Sequence, residues 1–113
     1  MMQFTAKELQ GVTVISLSGN VLGGPDANTL NDQLRTLLDK KKTRVIIDLG
    51  EVQFINSSGL GMLIGGMSTM RKGGGELKLA RASKKVQNLL EMTKLTTLFD
   101  VHETVKAAVG AFK

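Results

Sequence analysis

The sequence has no cysteine, no tryptophan and no tyrosine, and it holds a single histidine, His102. Without cysteine the chain forms no disulfide and offers no thiolate to a metal or a substrate. One histidine is too few for a histidine-rich zinc site and leaves little from which to build a Ser-His-Asp triad. We therefore expect no metal, no cofactor and no enzymatic activity, with His102 exposed or on an edge strand.

Long apolar runs are also missing. No stretch approaches the roughly 18 apolar residues that cross a membrane. The first residues lack the charged-then-apolar order of a secretory leader. Together with the lack of cysteine, these features favour a cytoplasmic protein without membrane contact. No linker or internal repeat divides the 113 residues, so we expect one domain over residues 1–113.

Positive charge is in excess but is spread thinly along the chain. Fifteen lysine and arginine residues against ten acidic residues give a formal charge of +5. The densest group, Lys40, Lys41 and Lys42, has no tyrosine or tryptophan nearby for stacking on bases. It suits the end of a helix, where cations complement the dipole. We predict no nucleic-acid binding, and the net charge remains suited to steering an acidic partner protein.

Two kinds of hydrophobic pattern alternate along the chain. Short apolar or alternating runs predict strands over residues 4–9, 12–18, 43–49, 76–80 and, at an edge, 98–102. Helical spacing predicts helices that begin near Pro25, Ser58, Ser83 and Glu103. Residues 19–24 are expected to form a loop. This order predicts a single α/β domain with a mixed sheet of about four to five strands, about four helices and right-handed crossovers.

The segment Asn56-Ser57-Ser58-Gly59 separates a buried apolar stretch from an amphipathic helix. A serine there commonly caps the helix by accepting a hydrogen bond from a free backbone N–H. The same N–H groups and the helix dipole also accommodate a phosphoryl group, which adds charge without unfolding the domain. From the residues alone, both interpretations of Ser57 and Ser58 stand.

Residues 45–65 resemble the signature of the STAS domain, as in the bacterial anti-sigma-factor antagonists. That family has an Asp-Ser-Ser/Thr-Gly-Leu-Gly segment that enters a helix after a buried strand, and residues 56–61 match it except at Asn56. The resemblance extends to Gly19 after the second strand, to a turn at residues 74–77 and to a helix at residues 86–90. It therefore covers nearly the whole chain.

The resemblance implies a regulatory cycle in which the domain is a substrate and performs no chemistry. Unphosphorylated, such a domain binds an anti-sigma factor that is also an ATP-dependent serine kinase, and so frees the sigma factor. The kinase phosphorylates the serine aligned with Ser57 and releases the antagonist, which a metal-dependent serine phosphatase restores. A free monomer is also implied. We expect phosphorylation at Ser57 and partner contacts from Asn20, Asn56, Ser58, Gly59 and Met62.

Two departures from the family pattern keep a second interpretation open. Asn56 lacks the carboxylate that usually precedes the serine. Residues 20–24 carry no acidic side chain, although the family usually has one in this loop. Both departures favour a non-switching STAS-type subunit of a larger signalling or lipid-transport assembly.

Other candidate residues are weaker signals. Met62 falls about 200° round a helix from Leu60, so it is either an adaptable partner contact or packed within the domain. The glycines at 59, 61 and 65 place Ile64 where a dinucleotide-binding loop needs its third glycine, so nucleotide binding is not predicted. Asp48 has no carboxylate neighbour in sequence until Glu51, and we expect it to be hydrogen-bonded rather than catalytic.

Overall fold

The computed structural model describes residues 2–112. Within this range the sheet contains five strands, which lie in chain order from edge to edge: β1 (Gln3–Leu9), β2 (Val12–Val21), β3 (Arg44–Ile55), β4 (Glu76–Ala80) and β5 (Val101–His102). β1 and β2 pair antiparallel, and the remaining neighbours pair parallel. The parallel strands are connected through α1 (Pro25–Asp39), α2 (Ser57–Lys72) and α3 (Lys84–Met92), and α4 (Val105–Ala111) follows β5. The predicted α/β class and mixed sheet are confirmed.

Hydrophobic side chains of the described residues pack on both faces of the sheet, because side chains alternate along each strand. On one face, Ile15 and Ile47 join a large core with residues of α1, α2 and α3. On the other face, Val14 and Ile46 join a smaller core with α4. β3 is therefore covered on both sides, as its near-continuous apolar run predicts.

The largest difference from the sequence prediction is the length of β2 and β3. The sequence predicts a loop over residues 19–24 and a break after residue 49, whereas β2 continues to Val21 and β3 to Ile55. In the added part, Gly19 pairs with Val52 and Asn20 with Phe54. The register shifts twice along this pair of strands, each time by an additional residue in β3. Such bulges interrupt the two-residue alternation, which hides the strand in the sequence.

The helix ends follow the sequence closely. Pro25 is the first residue of α1, and Ser83 caps α3 by accepting a hydrogen bond from the Val86 N–H at 3.2 Å. Lys40 directly follows α1, so the lysine cluster lies at the helix end predicted for it. Between residues 2 and 112, no helix is both long and apolar enough to cross a membrane.

The last part of the chain is less regular than predicted. A strand is predicted over residues 98–102, but a short 3-10 helix occupies Leu95–Thr97 and only Val101 and His102 pair with β4. The prediction that His102 lies on an edge strand is confirmed. α4 begins after Thr104, whose hydroxyl accepts a hydrogen bond from the backbone of the helix.

Candidate functional site

The helix α2 begins where β3 ends, and Asn56 is the residue that caps it. The Asn56 side-chain oxygen accepts a hydrogen bond from the Gly59 N–H at 2.8 Å, which stabilises the first turn. The cap therefore belongs to Asn56 and not to either serine. The interpretation of Ser57 and Ser58 as cap residues is wrong for this chain.

Ser57 and Ser58 form the exposed tip of α2. Both side chains are exposed, and within residues 2–112 neither hydroxyl forms a hydrogen bond. Ser57 is the first helical residue, so its hydroxyl lies at the positive end of the helix dipole. A hydroxyl here is accessible to another protein and has no role in holding the helix end.

Two glycines fix the tip against the neighbouring strand and loop. Asn56 donates its backbone N–H to the Val21 carbonyl at 3.3 Å. A Cβ atom on Gly59 would collide with that same carbonyl oxygen, so α2 reaches this position only with glycine there. Gly23, with a φ of +79°, would place a Cβ 2.9 Å from the Ser58 Cβ. The loop after β2 therefore packs directly on the first turn of α2.

The structure brings some of the predicted contact residues to one surface and buries the others. Asn20 is exposed at the end of β2, opposite Phe54 of β3, and Asn56 is half-buried beside the serines. Gly59 is buried against Val21, so its role is to position α2 and not to contact a partner. Met62 is 4% exposed and belongs to the large core. The expectation of a surface methionine is therefore wrong, and Met62 packs within the domain.

The burial pattern of α2 explains why Met62 is buried although the leucine pattern places it away from the apolar face. Its buried positions are spaced three and four residues apart, as expected for a single helical stripe. They are Gly59, Leu60, Met62, Leu63, Gly66, Met67 and Met70. Two of these are glycines, which do not contribute to an apolar pattern in the sequence. The true stripe therefore lies about one residue away from the one that the leucines suggest.

The surface around the tip combines a first helical turn without acidic residues and two exposed apolar side chains. α2 carries no acidic residue in its first turn, and its basic residues are in its last turn. Leu22, in the loop that packs on Ser58, is 45% exposed, and Phe54 is 46% exposed. In the sequence Phe54 is only part of an apolar patch, and the bulges in β3 shift the alternation there so that this side chain is exposed.

Asp48 has the hydrogen-bonded role expected of it. Its buried carboxylate accepts hydrogen bonds from the Ser16 hydroxyl at 3.3 Å, the Gly50 N–H at 2.9 Å and the Arg81 guanidinium at 3.1 Å. The Arg81 group lies so close to Gly50 that a Cβ atom there would overlap it. Among the described residues, no three His, Cys, Asp or Glu side chains come together as a metal site.

Comparison with known proteins identifies the family to which this arrangement belongs. Residues 3–108 match the sequence profile of the STAS domain. The chain belongs to the STAS domain family. Its relatives include BtrV of Bordetella bronchiseptica, a candidate anti-sigma factor antagonist, which is 30% identical over 112 residues, or 99% of this chain and 96% of the relative.

Solved structures of other proteins share the fold. A candidate anti-sigma factor antagonist from Thermotoga maritima has a TM-score of 0.83 at 20% identity, over 96% of this chain and 92% of its own. The Bacillus cell fate determinant SpoIIAA, solved in its phosphorylated form, has a TM-score of 0.73 at 18% identity, over 98% of this chain and 100% of its own. In this STAS domain, Ser57, Ser58, Leu22 and Phe54 are all exposed close to where β2 and β3 end.

Proposed function

We propose that this STAS domain is an anti-sigma factor antagonist that binds its partner through the tip of α2. The contact surface comprises Asn20, Asn56, Ser57 and Ser58. One observation carries the proposal: Asn56 caps the helix, and Ser57 is left exposed and without a hydrogen bond at the positive helix end. The names of relatives such as BtrV support an anti-sigma factor as the partner.

The finer part of the proposal is a phosphorylation switch at Ser57. The partner is an anti-sigma factor with serine kinase activity, which phosphorylates Ser57 after binding. A phosphoserine carries about −1.5 to −2 charges at neutral pH. The free N–H groups and the dipole at the start of α2 favour that charge, and no carboxylate in the first turn opposes it. The domain therefore keeps its fold when it is modified.

The same modification prevents rebinding. A partner that packs over Ser57 would have to strip water from the phosphate, and a buried charge without a partner is costly. Release follows from this cost and needs no rearrangement of the domain. A metal-dependent serine phosphatase then returns the protein to its binding form. The structure of SpoIIAA in its phosphorylated form supports the idea that a fold of this kind tolerates the modification.

The test uses the purified anti-sigma factor kinase of the same cells, with Ser57→Ala, Ser57→Asp and the matched controls Ser58→Ala and Ser58→Asp. With ATP, mass spectrometry should find phosphate on the wild type and on Ser58→Ala but not on Ser57→Ala. Ser57→Asp should bind at least about tenfold more weakly than Ser57→Ala, since an unpaired interface charge costs about 2 kcal/mol or more. Equal binding of Ser57→Asp and Ser57→Ala, at equal thermal stability, contradicts the switch.

A second candidate function is a STAS-type subunit that binds a partner assembly without switching. Asn56 favours it, because an amide stands where the family usually has a carboxylate beside the serine. Mass spectrometry of the protein from its own cells separates the two candidates. Binding of an assembly with no phosphate on Ser57 in any growth condition supports the subunit, whereas a phosphorylated fraction supports the switch.

A further inference from the structure

A small apolar cavity lies beside the tip of α2, between the end of β3 and the first turns of α3. It is lined by Gln53, Phe54, Ile55, Lys85, Val86 and Leu89 and has a volume of about 170 Å³. Sites for cofactors and drug-sized ligands commonly occupy about 300–1,000 Å³. This cavity is therefore of a size for one side chain and not for a nucleotide or a metabolite.

The cavity is continuous in the chain with the proposed contact surface. Phe54 and Ile55 form its wall and immediately precede the cap residue Asn56 and the serines. Phe54 is 46% exposed, although large aromatic side chains are usually buried in protein cores. A partner seated on Ser57 therefore has an apolar side chain and an open apolar recess within reach on one side.

The charged groups at the rim of this cavity are cationic. Lys85 is the ionisable residue among those that line it, and Lys84 precedes it in the first turn of α3. Between residues 2 and 112, neither lysine forms an ion pair. Cations at the start of a helix are opposed by the dipole, so their placement does not serve the stability of α3. Carboxylates on an incoming chain would meet both lysines and the positive helix end.

We propose that this cavity receives an apolar side chain of the partner protein, from a segment whose neighbouring carboxylates contact Lys84 and Lys85. The proposal rests on the proposed function only for the identity of that partner. It gives the partner a recognisable chemistry: a leucine-sized anchor flanked by acidic residues. The second half of the docking surface is thus apolar and cationic, while the first half is polar and neutral.

The test is a chemical-shift titration of the ¹⁵N-labelled protein with a synthetic peptide, acetyl-Glu-Glu-Leu-Leu-Glu-Glu-amide. Two peptides of equal length serve as controls, one with lysines in place of the glutamates and one with serines in place of the leucines. We expect the acidic apolar peptide to shift the amides of residues 53–55 and 85–89, and both controls to shift them far less. Equal shifts with the lysine peptide, or shifts confined to other parts of the domain, overturn the proposal.

Variants locate the interaction. Lys85→Glu should weaken binding of the acidic peptide by about fivefold or more, as loss and reversal of an exposed ion pair predicts. Lys106→Glu makes the same charge change on α4, on the opposite face of the sheet, and should leave binding near wild type. Phe54→Ala should also weaken binding, whereas Met92→Ala, at a residue 80% exposed at the end of α3, should not. Equal effects of the Lys85 and Lys106 variants would mean that only net charge matters.

An anionic membrane is the other surface that apolar and cationic groups attract. Sedimentation with vesicles of phosphatidylcholine and phosphatidylserine separates the two cases. Binding to the vesicles that Phe54→Ala and Lys85→Glu abolish, without binding of the peptide, overturns the proposal. Because the peptide contains no kinase and the assay no ATP, the outcome is independent of whether Ser57 is phosphorylated. Failure of the switch and failure of the cavity as an anchor site are therefore distinguishable.

Discussion

At the start of α2, adjacent polar residues have different structural roles. The Asn56 side chain holds the first turn through its hydrogen bond to the Gly59 N–H, while Ser57 and Ser58 point to solvent. The sequence identified the four-residue segment but assigned the cap to the serines, because serine and asparagine cap helices about equally well. Which residue takes the cap position depends on where β3 ends, and this is set by its pairing with β2.

This division of roles makes a stability prediction. Asn56→Ala removes the cap acceptor and should lower the free energy of unfolding by about 1 kcal/mol. Ser57→Ala removes an exposed hydroxyl without a hydrogen bond and should change it by less than about 0.5 kcal/mol. Urea denaturation of both variants measures the difference. A larger loss of unfolding free energy in Ser57→Ala than in Asn56→Ala would show that Ser57, and not Asn56, stabilises the helix end.

A second prediction at this scale concerns Asp100 and pH. Its carboxylate lies 2.6 Å from the Lys78 Nζ and 3.0 Å from the His102 Nε2. The hydrogen bond from Lys78, followed by the nearby His102 ring, holds the pKa of Asp100 below its usual value. A carboxyl group whose pKa is lowered by folding contributes stability above the unfolded pKa of about 3.9, and this contribution is lost as the pH falls through the folded pKa.

Asp100→Asn should therefore be less stable than the wild type at neutral pH, and the two should converge below about pH 4. The effect should be modest, because the Asp100 side chain is about half exposed and water screens its interactions. Thermal unfolding over a pH series measures it. A stability difference that stays constant into strong acid would mean that packing, and not the charge of Asp100, is responsible.

The helix α2 combines a packed face with a bare one. On the inner face, Gly59 and Gly66 allow close approach to Val21 and to Leu34 of α1. On the outer face, a Cβ atom at Gly61 or Gly65 would meet nothing within 4 Å. Glycine within a helix costs about 0.5–1 kcal/mol relative to alanine. The fold itself therefore gives no reason for the two outer glycines, which follow Ser57 at intervals of four residues.

Gly61→Ala and Gly65→Ala should each raise the free energy of unfolding by about 0.5–1 kcal/mol, whereas Gly59→Ala should lower it. If a partner helix uses the bare face, Gly61→Leu should weaken binding of the anti-sigma factor while the domain remains folded. Urea denaturation and a binding titration on the same variants measure both effects. Full binding by a stable Gly61→Leu variant would exclude close approach at this face.

How much the sequence predicts depends on whether a feature is local. Pro25 at the start of α1, the Ser83 cap and the strand at residues 76–80 follow from nearby residues and are where they were predicted. The extension of β2 and β3 follows from pairing between Asn20 and Phe54, which are distant in sequence. The exposure of Phe54 and the cavity beside it depend on that pairing, so the sequence alone could not reveal them.

At the scale of the whole domain, lysines at the start of α3 lie near the tip of α2. The first turns of α2 and α3 contain no acidic residue, and Lys84 and Lys85 lie free of ion pairs within the described part of the chain. Among the described residues, Lys42 pairs with Glu8 at 2.7 Å, and Arg81, just before α3, pairs with Asp48 at 3.1 Å. Lys84 and Lys85 therefore place two uncompensated positive charges of the net +5 near the proposed contact surface.

This arrangement predicts how binding of the anti-sigma factor responds to salt. Electrostatic steering raises the association rate and is screened once the Debye length shortens, to about 10 Å at 0.1 M salt and about 3 Å at 1 M. The association rate should therefore fall as salt increases, while the dissociation rate changes little. In Lys84→Gln the salt dependence should be weaker, and in Lys106→Gln, on the opposite face, it should match the wild type. Stopped-flow association kinetics measure these rates, and an identical response in both variants would show that the partner senses total charge and not this end of the molecule.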